Sequence, residues 1–141
     1  MADPHDLQRF LTAQDAIWPA PVDELARGHK TTHWMWFVFP QIAGLGQSPT
    51  ARFYAIRDLA EAEAYLRHPV LGPRLVRAAE IVEIAPADTA ESLLGGVDAV
   101  KLRSSMTLFA RVDPGQPVFT RVLERWFGGR QDDATLALLD A

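Results

Sequence analysis

Residues that break helices punctuate this chain so often that no long element fits between them. Turn signals recur about every ten to fifteen residues, at Pro19, Gly28, Pro40, Ser48-Pro49, His68-Pro69, Pro86, Gly95-Gly96, Pro114-Gly115 and Gly128-Gly129. The segments between them carry helical rather than alternating patterns. Leu7, Phe10, Leu11, Gln14 and Ile17 mark one face of a first helix that stops before Pro19, and a second runs from about Val22 to Arg27 with Gly28 behind it. Ser48-Pro49 reads as an N-cap and a first-turn proline launching a helix to about Arg57. Asp58 with Glu61 resembles a capping box for a helix ending near His68. Leu75, Ala78, Ala79 and Val82 give a further face, closed by Pro86, and Thr89 caps a short helix ended by Gly95-Gly96. Asp98 is expected to cap a helix reaching about Val112, Pro117 to start one with Phe119, Val122, Leu123 and Trp126 inside, and Asp132 or Asp133 to open the last. No Asn-Gly or Asp-Gly hairpin signal interrupts this pattern. The expectation is a single all-α domain over residues 1–141, a compact array of about seven to nine short helices with no significant sheet.

Composition removes several chemistries. The 141-residue chain has no cysteine, so disulfides, thiolate nucleophiles and cysteine-ligated metals are excluded. The longest wholly apolar run, Trp34 to Pro40, is far short of the roughly 20 residues of a spanning helix, and the start lacks the basic region of a signal peptide. A cytoplasmic protein with no membrane partner is expected. A net charge of −4 with singly scattered basic residues disfavours nucleic acid. Arginine outnumbers lysine twelve to two, which makes the positions of Lys30 and Lys101 worth following.

Lys30 stands in the densest unusual stretch, which runs from Gly28 to Gln41 and includes His29, His33, Trp34, Trp36, Phe37 and Phe39. Its apolar residues read as a central buried helix. Lys30, His33 and Gln41 form a polar collar around it. His29 and His33 are four apart, but the Glu of an H-E-x-x-H motif is missing and Lys30 lies between them, so no metal and no cofactor is expected. Gly44-Leu45-Gly46 before Ser48 lacks the third glycine of a dinucleotide fingerprint and the Gly-Lys-Ser/Thr ending of a P-loop.

Lys101 stands in the second stretch, Gly95 to Phe109. On a helical wheel Asp98 and Ser105 fall about 40° and 60° from Leu102, and Lys101 about 100°, on a polar stripe beside the core face. Such a lysine and serine can hold a phosphate or carboxylate, with Asp98 orienting them.

The run Lys30-Thr31-Thr32-His33-Trp34-Met35-Trp36-Phe37-Val38-Phe39-Pro40-Gln41, the following Gly44-Leu45-Gly46-x-Ser48, the block from Glu61 to Leu75, and Asp98-x-x-Lys101-Leu102-x-Ser104-Ser105-Met106-Thr107-Leu108-Phe109 resemble the domain-of-unknown-function 1810 family. The resemblance covers about Leu7 to Trp126 and implies a compact all-α fold. Some members of that family carry a calpastatin label, which does not suit a short, aromatic chain, because calpastatins are long and disordered. It also implies that Lys30, His33, Trp34, Trp36, Gln41, Ser48, Asp98, Lys101, Ser104 and Ser105 recur together, as one pocket would require.

The expected function is therefore a small-molecule pocket. Trp34 or Trp36 would stack on a planar group, with Gln41, Ser104 and Ser105 beside it, while Lys30, Lys101 and the helix start at Ser48 hold an anion such as a nucleotide or ADP-ribose-like ligand. A loose analogy to the NADAR-type hydrolases of N-glycosidic bonds gives Asp98 an acid/base or ribose-orienting role and His33 an assisting one. The rival reading is a non-catalytic module docking a protein partner on the aromatic run.

Overall fold

Four short side chains set where helices begin. Ser48, Asp58, Thr89 and Asp132 each accept a hydrogen bond from the backbone N–H three residues on, at 3.1, 2.9, 2.9 and 3.0 Å. The computed structural model describes residues 3–141. Among them run ten helices: α1 Gln8–Asp15, α2 Ala20–Arg27, α3 Met35–Val38, α4 Pro49–Phe53, α5 Leu59–Arg67, α6 Leu71–Glu83, α7 Ala90–Leu94, α8 Gly96–Val112, α9 Val118–Phe127 and α10 Asp133–Leu139. The number exceeds the expected seven to nine by one, and the buried helix expected in the aromatic run shrinks to the single turn α3.

α8, the longest helix, packs against α3, α5, α7, α9 and α10, while α6 packs on α2, α5 and α9. Phe10, Trp34, Phe39, Tyr65, Phe109 and Phe119 are fully buried between them, each contributing on the order of 1.5–3 kcal/mol. Gln14, on the apolar face of α1, donates from Nε2 to the Phe37 carbonyl at 2.6 Å and to the Tyr65 hydroxyl at 3.0 Å. Burial pushes the Tyr65 phenol up, against the opposing effects of Gln14 and Arg74.

Three local expectations give way to longer-range contacts. α4 ends at Phe53 rather than Arg57, because the chain straightens there into a parallel bridge between Ile42 and Ile56. The Ile56 N–H donates to the Gln41 carbonyl at 2.8 Å and the Ala43 N–H to the Ile56 carbonyl at 2.7 Å. Glu61 does not complete a capping box with Asp58. Its carboxylate is fully buried and takes Arg9 at 2.7 Å and Arg57 at 3.1 Å. All of Arg9's nitrogens are engaged, since the remaining donors go to the carbonyls of His5, Asp6, Phe53 and Ala55. Finally, Asp98 does not cap α8. The helix starts three residues earlier than such a cap would place it, with Gly95 serving both as the end of α7 and as the cap of α8 at φ +89°, a backbone region that favours glycine.

Candidate functional site

α2 ends at Gly28 in the left-handed conformation, φ +82°, and the chain turns from there into the loop that carries Lys30. Two anchors fix this loop. On one side the Lys30 N–H donates to the Leu93 carbonyl at 2.8 Å, tying it to α7. On the other, the buried Glu24 carboxylate collects the N–H groups of Thr31 and Thr32 at 2.8 and 3.0 Å, the Thr32 hydroxyl at 2.5 Å and the Trp34 indole N–H at 3.0 Å. Burial alone would raise the Glu24 pKa, but these donors outweigh it and lower it to about 2. Glu24 was not among the residues the sequence singled out. Its signal was its place between Pro21 and Leu25 on the buried stripe of α2.

Held this way, Lys30 reaches across to α8. Its ammonium lies 2.8 Å from Asp98 Oδ2, and Lys101 Nζ lies 3.6 Å from Asp98 Oδ1. The side chains of Lys30, Asp98 and Lys101 are 7%, 18% and 18% exposed, so two cations share one carboxylate largely out of water. Each lysine also sits over an indole, Lys30 at 5.1 Å from the Trp34 ring centre and Lys101 at 4.4 Å from that of Trp36. The two lysine-bearing stretches, 68 residues apart between Lys30 and Asp98, thus meet at one carboxylate.

Beside this cluster a cleft of about 390 Å³ opens between α8, the start of α10 and the segment after Gln41. Gln41, Leu45, Val100, Lys101, Ser104 and Asp132 are among the residues on its walls. Ser104 donates to the Val100 carbonyl at 3.1 Å and Asp132 Oδ2 at 3.2 Å. Asp132 is the second residue the sequence did not single out as a site residue, because its place beside Ser104 is created only when α10 packs on α8.

Not every expected residue gathers here. Trp34 is 1% exposed and built into the core, so neither of its faces is open to a planar ligand. Trp36 is half-buried, with Lys101 over its ring and a void of about 10 Å³ beside it, room for no more than one water. Ser48 is exposed and serves as the cap of α4. His33 is exposed in the loop, which is not helical, so its spacing from His29 does not stack the two rings. Ser105 is fully buried, and its hydroxyl finds no partner among the described residues.

No curated protein matches the chain. Among solved structures, the conserved hypothetical protein Rv1873 from Mycobacterium tuberculosis is similar, with 47% identity and a TM-score of 0.96 over 99% of both chains. A family profile described as "protein of unknown function (DUF1810)" matches residues 4–139, so that almost the whole chain, lysine cluster and cleft included, lies within the match. The chain belongs to the DUF1810 family.

Proposed function

We propose that the cleft beside Lys101 binds a small organic anion. The observation that carries this reading is the stoichiometry of the cluster: two ammonium groups, one carboxylate, and so one positive charge in excess at a partly buried cleft wall. Lys101 is the looser of the two lysines, at 3.6 Å from Asp98 against 2.8 Å for Lys30, and it alone of the two lines the cleft. Lys30 orients Asp98, Asp98 steadies Lys101, and Lys101 faces the ligand. Val100 and Leu45 offer an apolar body its wall, and Gln41 and Ser104 offer polar contacts.

Polyanionic nucleotides and ADP-ribose are less well matched than a monoanion, because Lys30 is occupied at Asp98 and Trp34 is enclosed. Binding is favoured over hydrolysis. Each oxygen of Asp98 faces an ammonium group, and His33 is not on the cleft wall. The docking of a partner on the aromatic run is not favoured, since Trp34 is enclosed.

Ligand-observed NMR with short carboxylates and phosphates, and with ATP and ADP-ribose as polyanionic arms, tests the reading. Carboxylates or monoester phosphates should bind the wild type and lose affinity by about tenfold or more in Lys101→Gln. Absence of binding by every anion, or binding unchanged in Lys101→Gln, sinks it.

A further inference from the structure

We propose that the ligand is a small zwitterion, its anionic end held by Lys101 and an ammonium at its other end held by Asp132. This rests on the reading of the cleft as an anion site and adds a second recognition group to it.

The argument begins with how Asp132 is used. Its Oδ2 atom accepts three hydrogen bonds, from the Ser104 hydroxyl at 3.2 Å, the Thr135 N–H at 3.0 Å and the Thr135 hydroxyl at 2.6 Å. Its own N–H donates to Thr107 Oγ1 at 2.9 Å. The carboxylate is therefore fixed in place through one oxygen. Among the described residues no donor reaches Oδ1, although the residue is only half-buried and lies on the cleft wall. A cap needs one oxygen, so the other is available for a second purpose.

The second observation is that the opposite charges of the cleft do not neutralise each other. Lys101 and Ser104 are one turn apart on α8, a rise of about 4.5 Å, and Ser104 touches Asp132. Lys101 nonetheless directs its ammonium to Asp98, three residues earlier on the helix, and to the Trp36 ring. No ion pair within 4 Å joins it to Asp132 among the described residues. The Lys30, Asp98 and Lys101 cluster presents one net positive charge, and Asp132 presents one negative charge. Val100 and Leu45 add apolar surface to the same cleft. A polyanion would set like charge against Asp132. A simple monoanion would leave Asp132 unused. A neutral molecule with separated charges and an apolar spacer matches both ends.

Isothermal titration of the whole chain with ω-amino acids from 4-aminobutanoate to 8-aminooctanoate, beside the carboxylates and amines of equal length, tests this. At the best length the zwitterion should bind about tenfold more tightly than its parent carboxylate or amine. Asp132→Asn keeps a good helix cap, so melting temperature should be retained while the zwitterion's advantage disappears and the plain carboxylate, relieved of a like charge, binds at least as tightly as before. If plain carboxylates bind as well as zwitterions at every length, or if Asp132→Asn preserves the advantage, the second recognition group is wrong while the anion site stands. If neither class binds, the zwitterion reading falls, and the anion site falls with it when phosphates fail to bind as well. The wild-type series decides the question even should the variant fold poorly.

Discussion

Two carboxylates in this molecule are each shared by two cations, and they are put to different use. Glu61 is met by Arg9 and Arg57, Asp98 by Lys30 and Lys101. At Glu61 the inner cation is a guanidinium whose every nitrogen is taken, by the carboxylate and by four backbone carbonyls. Nothing is left over for a ligand. At Asp98 the cations are ammonium groups held by one carboxylate and the faces of two indoles, and the outer one lines an open cleft. The same count of charges makes a staple where donors are saturated by the chain's own carbonyls and a candidate receptor where they are not. The planar fork of arginine suits the first use, and the compact, adaptable ammonium suits the second. In a chain with twelve arginines, lysine has a physical reason at these two positions.

Breaking the staple should have the largest effect. Arg9→Ala leaves Glu61 buried with only the exposed Arg57 and should cost about 3–5 kcal/mol, read as a lowered urea midpoint. Glu24→Gln should come next, at about 2 kcal/mol near neutral pH, since charge-assisted acceptance from four donors is replaced by a neutral amide. The sign with pH follows from the direction of the shift. Glu24 is lowered from 4.5 to about 2, so its stabilisation is complete above pH 4.5 and is lost as the pH falls toward 2. The gap between wild type and Glu24→Gln should therefore narrow from about pH 7 to about pH 3 in chemical denaturation.

The two lysines should then separate. Lys30→Met removes the closer partner of Asp98 and is expected to cost about 1–2 kcal/mol. Lys101→Met should change the melting transition by no more than about 1 kcal/mol, while abolishing anion binding. Equal destabilisation by the two would mean that the Asp98 cluster is a second staple. The smallest effects should come from the adjacent serines. Ser104→Ala loses a bond to Asp132 and should cost about 1 kcal/mol, whereas Ser105→Ala removes a hydroxyl that has no partner among the described residues and should be neutral or slightly stabilising.

The helical architecture was legible because its signals are local. Caps at Ser48, Asp58 and Thr89, and glycines at Gly28 and Gly95, act within a turn or two of where they stand. The wheel likewise placed Asp98 and Lys101 beside the core face of α8, where they are half-buried. Apart from the meeting of Lys30 with Asp98, which the family resemblance implied, features made by distant segments escaped. Arg9 and Glu61 are 52 positions apart, and Ser104 and Asp132 are 28 apart. Periodicity identifies the face of a helix but not the neighbour that covers it. Trp34 illustrates the same limit from the other side: its aromatic character suggested stacking, and only the tertiary fold reveals that its faces are enclosed.

The bridge between Ile42 and Ile56 has a consequence for how such a cleft could be re-tailored. Two short backbone hydrogen bonds close the base of the excursion over residues 43–55, making it an Ω-like module whose ends are fixed whatever its tip contains. Leu45 sits in that module and on the cleft wall, while Lys101 and Asp132 come from the helical body. The charged ends of the cleft are thus inherited with the scaffold. Of the wall against which a ligand's body rests, Val100 belongs to that scaffold and Leu45 to the excursion, whose far end Arg9 ties to the body through the Phe53 and Ala55 carbonyls, so only the stretch around Leu45 is a place where the wall can vary.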